Sequence, residues 1–144
     1  MIRKATVFDI SSILLLLNNM HKETTINVPP IDSYKITNKV TQVLHEGIVL
    51  LASEENKLQG SIGGVIASDW WSNEKYLADI WFYVYPDARK SNVAKSLISD
   101  FIQIGKNTKM KVRLGHIFSG DLQRKDKFYE RLGMVKAGST YVEV

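Results

Sequence analysis

Arg89, Lys90 and Lys95 bracket the small residues Ser91 and Ala94 in the stretch Asp87-Ala88-Arg89-Lys90-Ser91-Asn92-Val93-Ala94-Lys95. Cations beside residues that let a ligand approach the backbone suit an anion, phosphate above all. What flanks the stretch decides whether that chemistry is available. Upstream, Asp79 to Tyr85 is almost wholly aromatic or β-branched, the composition of a strand packed on both faces, and Pro86 must end it. Downstream, Val93, Ala94, Leu97, Ile98, Phe101 and Ile102 form one stripe of a helix, with Gly105 read as its stop. A helix opening off a buried strand leaves its first N–H groups unpaired, and the helix end carries partial positive charge. A phosphate cradle is one reading; an ordinary strand–helix connection with solvated cations is the other. Composition alone does not separate them.

The run Tyr83-Val84-Tyr85-Pro86-Asp87-Ala88-Arg89-Lys90-Ser91-Asn92-Val93-Ala94 resembles the acetyl-CoA signature of the GNAT N-acetyltransferase family, a strand ending in V-x-P followed by Q/R-x-x-G-x-G/A. Arg89 takes the first place of that signature and Ala94 the last. Asn92 stands where the family usually has glycine, a residue that lets a pyrophosphate come close to the backbone. The resemblance implies cofactor contacts from Phe82, Tyr83 and Val84 on the strand. In the turn it implies contacts from Arg89, Lys90, Ser91, Asn92, Val93, Ala94 and Lys95.

Near the end of the chain, Phe128-Tyr129-Glu130-Arg131-Leu132-Gly133-Met134 resembles the family's closing F-Y-x-x-x-G-F, with Met134 for the last phenylalanine. In many members that tyrosine protonates the departing thiolate, a role that falls here on Tyr129. An asparagine often found seven residues earlier is replaced by Leu122, so Asp121 or Gln123 would have to supply that contact. The resemblance implies an α/β (α+β) GNAT fold, with a mixed, mostly antiparallel sheet of about six or seven strands and about four helices on both faces. It also implies acetyl-CoA as co-substrate, no metal, and an amine acceptor that is a small molecule or a protein.

Acetyl transfer needs a neutral amine, donors for the developing oxyanion and a proton for the leaving sulfur. Splaying of the central strand at Phe82 to Val84, as in the family, would free backbone N–H groups for the oxyanion. Asp79, His116 and a water chain are candidate bases. Asp79 would be a costly buried carboxylate unless paired, and Arg113 would serve as a purely structural partner. His116 alternates with apolar residues, which also fits a hydrogen-bonded core histidine. Tyr129 could equally be a core tyrosine holding the last helix.

Composition bounds the alternatives. At 144 residues the chain is expected to form one domain. Apolar runs such as Ile13 to Leu17 are too short to span a bilayer, and no leader is evident, so a cytoplasmic protein is expected. The absence of cysteine excludes disulfides and thiolate sites. A net charge of +4 suits a polyanionic small molecule rather than a dedicated nucleic-acid binder. Arg124, Lys125, Lys127 and Arg131 alternate with Asp126 and Glu130, the pattern of a solvated helix face. A non-catalytic acetyl-CoA-binding or protein-interaction module on the same fold is the alternative that Asn92 motivates.

Several further elements are expected. A strand covers Ile2 to Thr6, and Asp9 caps a helix bearing Ile10, Ile13, Leu14 and Leu17. His21, Lys22 and Glu23 read as its solvated end. A second helix runs from Ser33 to Leu44. Strands at Ile48 to Ala52 and Leu58 to Ala67 are joined by a polar turn, and Gly60, Gly63 and Gly64 suggest a bulge or close packing. Trp70 and Trp71 read as partly buried loop anchors, or as an acceptor lip or homodimer contact. Met110 to Phe118 reads as a strand, Asp121 opens the last helix, and Met134 to Val144 reads as a final strand or hairpin.

Overall fold

The computed structural model describes residues 1–24, 26–115 and 120–143. Its strands are β1 (Ile2–Lys4), β2 (Ile48–Glu54), β3 (Lys57–Ser68), β4 (Lys75–Val84) and β5 (Lys111–Arg113). Its helices are α1 (Ile10–Lys22), α2 (Ser33–Glu46), α3 (Val93–Asn107) and α4 (Leu122–Arg131). The strands lie side by side in chain order; all neighbours are antiparallel except β4 and β5, which are parallel.

The sheet separates two apolar layers. Period-2 alternation sends Val49 and Leu51 of β2 to one face and Leu50 and Ala52 to the other. On the first face, Trp81 and Tyr83 pack with Ile13, Leu16 and Leu17 of α1 and Val40 and Val43 of α2. On the second, Leu77 and Val84 pack with Leu97, Ile98 and Phe101 of α3. Gly64 permits the closest approach in this layer, because a Cβ there would lie 2.4 Å from the Phe101 ring.

Local chemistry explains several boundaries. Glu55 and Asn56 adopt φ of 51° and 63°, the left-handed pair that a two-residue hairpin requires, so β2 turns tightly into β3. Thr6, not Asp9, caps the entry to α1. Its hydroxyl accepts from the Phe8 N–H, and Asp9 reaches back to the Thr6 N–H at 2.8 Å, a capping box on a short 3-10 turn. Gly105 is not a stop: α3 runs through it to Asn107, and it is glycine because a Cβ would lie 2.6 Å from Val112.

Five strands are formed among the described residues, fewer than the family resemblance implies. The strand expected over Met110 to Phe118 is confined to Lys111–Arg113 within the described residues, and His116 and Phe118 lie outside them. Met134 to Glu143 form neither strand nor helix. Val135, Tyr141 and Val142 of that tail are exposed, and a hairpin with no covered apolar face has little to hold it. Trp70 and Trp71 are also not buried anchors; they are 93% and 66% exposed and meet edge to face.

Candidate active site

A bulge in β4 decides which side chains meet. Gly63 pairs with Trp81 and Gly64 with Asp79, which leaves Ile80 as the extra residue. Leu77 and Asp79 therefore share the α3–α4 face, whereas Ile80 and Trp81 both turn to the α1–α2 face. Beyond Ala78, the last residue paired with β5, the outer edge of β4 has no strand partner among the described residues. β5 therefore gives no ladder partner to Asp79 through Val84 on that side, although Trp81, Tyr83 and Val84 stay buried.

Two titratable groups beside this edge are near enough to interact electrostatically. Asp79 is half-buried and its Oδ1 accepts from the Gly115 N–H at 2.9 Å. Burial pushes its pKa up to about 6, against the opposing pull of the Gly115 and Asp79 N–H groups. Arg113 is not its partner. That guanidinium instead grips Asp69 through bonds of 2.8 and 2.7 Å and stacks on Tyr76. Tyr129, half-buried on α4, is held above the ordinary phenol range by burial first and by the Asp79 charge second. Phe128 fixes the helix by stacking on Phe82, at 6.4 Å between ring centroids, so the Phe82 side chain is a docking surface for α4. His116 lies outside the described residues.

The signature turn is more elaborate than a helix opening directly off a strand. β4 stops at Val84, Pro86–Ala88 form a 3-10 turn, and α3 starts only at Val93. The Ser91 hydroxyl accepts from the Val93 N–H. Among the described residues, the backbone N–H groups of Lys90, Asn92, Ala94 and Lys95 have no protein acceptor. This is the donor arrangement that a diphosphate requires. Asn92 has φ −84° and ψ 7°, a conformation open to any residue. Glycine at this place would therefore matter for close approach rather than for backbone freedom. Lys90, Ser91, Asn92 and Lys95 are exposed; Val93 and Ala94 are half-buried against the α3 layer. Ser91, Asn92 and Val93 also border a polar cavity of about 540 Å³ whose walls include Glu54 and Asp100. Those carboxylates disfavour a diphosphate on that side of α3.

Arg89 does not project freely into solvent. Its Nε donates to the Val84 carbonyl at 2.9 Å, its guanidinium pairs with Glu23, and it lies over the Tyr83 ring. The Tyr83 hydroxyl donates to the same Glu23, at 2.9 Å. Glu23, expected as part of a solvated helix end, therefore ties α1 to the end of β4. Lys125 was also missed as a site residue. It is half-buried, and burial and then the Arg89 charge hold its ammonium below the ordinary lysine range. Lys125 and Tyr129 are four residues apart on α4, so one helix face serves both ends of the opening. That spacing was visible in the sequence, although the alternating charges around it gave no reason to single out Lys125.

Among the described residues, no three His, Asp or Glu side chains are grouped to hold a metal ion, and no helix is long and apolar enough to cross a membrane.

Comparison with known proteins agrees with this fold. The chain superimposes on an acetyltransferase from Trypanosoma brucei with 21% identity and a TM-score of 0.72, covering 100% of this chain and 97% of that one. For a predicted acetyltransferase from Clostridium acetobutylicum, solved with acetyl-CoA, identity is 18%, TM-score 0.78 and coverage 100% and 94%. An aminoglycoside 6'-N-acetyltransferase from Acinetobacter haemolyticus gives 17%, 0.75, and 100% and 97%. These likenesses establish the fold. No curated protein matches the sequence. A family model described as the acetyltransferase (GNAT) family matches residues 16–134, most of the chain, and its members use acetyl-CoA as co-substrate. The chain belongs to the acetyltransferase (GNAT) family.

Proposed function

We propose that the whole chain acts as one N-acetyltransferase domain, moving an acetyl group from acetyl-CoA to a primary amine by direct attack in a ternary complex. The observation that carries this reading is the placement of Asp79 and Tyr129 on one face of the sheet, near enough for the carboxylate to act on the phenol, beside the edge of β4 that β5 leaves. The same edge leads into the turn whose N–H groups lack acceptors.

The residues present fit the co-substrate. Lys90, Asn92, Ala94 and Lys95 offer backbone donors to a diphosphate, and Lys125 and Arg89 raise the local positive potential. The outer edge of β4 from Phe82 to Val84, unpaired with any strand among the described residues, offers donors for amide and acetyl oxygens; one such donor is worth about 3–4 kcal/mol at an oxyanion. When bound, acetyl-CoA supplies a thioester carbonyl open to attack by nitrogen.

Asp79 is the base. With a pKa of about 6 it is mostly ionised near neutral pH, yet far more basic than an exposed carboxylate. The proton it takes from the acceptor ammonium removes the negative charge beside Tyr129. That charge is one of the two causes holding the phenol proton in place, so Tyr129 becomes a better acid as the sulfur departs. A placed acid or base of this kind contributes about 10²–10⁴-fold.

Thiol release from acetyl-CoA in the presence of a panel of amines tests the proposal. Acetyl-CoA that binds in calorimetry without thiol release from any amine would instead support the non-catalytic module, the reading that Asn92 favours.

A further inference from the structure

The face of the bulge opposite Asp79 is not used by the chemistry above. There Leu17 and Met20 of α1, Ile36 and Val40 of α2, and Ile80 and Trp81 of β4 line a half-open cavity of about 180 Å³. Its wall is almost entirely apolar. Ile80 remains 43% exposed although it sits among apolar neighbours, so part of the wall is uncovered hydrocarbon facing a concavity.

We propose that this cavity holds the body of the acceptor, and that the acceptor is a monoamine bearing one compact apolar group, aryl or branched aliphatic. The inference rests on the transferase reading and names its substrate class.

Position, size and charge each support it. Ile80 follows Asp79 directly, and the bulge turns the two side chains to opposite faces. An amine that reaches Asp79 at the open edge of β4 therefore trails its substituent across Ile80. An apolar cavity of about 150 Å³ accommodates a benzene ring, so this one takes a single ring or branched chain with a short linker. A multi-ring aminocyclitol would leave most of its polar surface outside it. Among the described residues the wall contains no Asp or Glu, and its polar side chains are Lys39, whose Nζ donates to Gln42 at 3.3 Å, and His21, whose Nε2 lies 2.8 Å from the Pro29 carbonyl oxygen. A polyamine or aminoglycoside would bring further ammonium groups to a wall with no carboxylate to receive them, whereas a neutral or carboxylate-bearing tail meets no such repulsion.

The experiment compares thiol release from acetyl-CoA with 2-phenylethylamine, spermidine and kanamycin, using the intact chain. The expected kcat/KM for 2-phenylethylamine exceeds that for spermidine by about 30–100-fold. Ile80→Asp places a carboxylate on an exposed site of the wall. It should raise KM for 2-phenylethylamine at least about tenfold, leave kcat within a factor of about two, and lower KM for spermidine. Independently of turnover, 2-phenylethylamine should shift the Trp81 indole N–H resonance in the wild-type protein and not in Ile80→Asp. Turnover of spermidine or kanamycin in preference to 2-phenylethylamine, or an unmoved Trp81 signal, overturns the inference and leaves the transferase reading intact. No thiol release with any amine, from a protein that does not bind acetyl-CoA, overturns that reading and this inference with it.

Discussion

The Tyr83 hydroxyl donates to the Glu23 carboxylate at 2.9 Å, across 60 residues of chain. Glu23 also pairs with Arg89, so one carboxylate joins the end of α1, the end of β4 and the turn before α3. Burial first, and the hydrogen bond to Glu23 second, hold the Tyr83 phenol well above its usual range. Tyr83→Phe should lower stability by about 0.5–1.5 kcal/mol in urea unfolding, with the KM for acetyl-CoA little changed.

Removing the Tyr129 hydroxyl tests the proton donor. Tyr129→Phe keeps the ring beside Phe128, 5.4 Å between centroids, so the fold should persist. Turnover should fall about 10–1000-fold with cofactor affinity unchanged. Steady-state kinetics and calorimetry together check this, and an unaltered kcat removes Tyr129 from the mechanism.

Asp79 makes a prediction about pH in two observables. Its native pKa of about 6 lies above the ordinary carboxyl value, so between about pH 4 and 6 the native state holds more protons than the unfolded one. Stability from this group is therefore fully present below pH 4, falls as pH rises to 6, and levels off above. The rate runs the opposite way, because only the ionised carboxylate accepts a proton. In Asp79→Asn the acidic limb of kcat/KM near pH 6 should vanish, and the stability slope in the same window should vanish with it.

Lys125 should act on cofactor binding alone. Lys125→Ala is expected to raise the KM for acetyl-CoA about 3–30-fold, an effect that shrinks in added salt, with kcat nearly constant. A parallel fall in kcat would place Lys125 in the chemistry instead.

Gly64 tests the packing that carries the bulge. A Cβ there meets the Phe101 ring at 2.4 Å and the Ala78 carbonyl at 2.8 Å, and neither can withdraw. Gly64→Ala should cost about 1–3 kcal/mol in chemical denaturation.

Much of this architecture was legible in the residues. The aromatic strand before Pro86, the stripe from Val93 to Ile102 and the alternation at Val49 to Ala52 each reported a local period. The glycines at Gly63 and Gly64 signalled the bulge. The role of Glu23 was not legible, because a charged residue at a helix end looks the same whether it meets solvent or a strand 60 residues away. Arg113 illustrates the same limit: its nearness to Asp79 in the sheet suggested a pair, but Asp69 at the far side of the hairpin claimed it. The tail after Gly133 failed for a different reason. Val135, Tyr141 and Val142 have strand propensity, and propensity without a covering layer leaves them exposed.

The supernumerary residue at Ile80 also governs where the gene can gain or lose a codon. Excising that one codon would restore strict alternation along β4 and leave Trp81 and Tyr83 on the α1–α2 layer, but inserting one directly after it would turn both over to the layer of α3, with Phe82 and Val84 going the other way. Two aromatic rings would exchange places with their smaller or differently packed neighbours, and both layers would lose their fit at once. The Glu55–Asn56 hairpin tip has no such parity to protect, so insertions among functional descendants of this chain should accumulate there and spare the strand after Ile80.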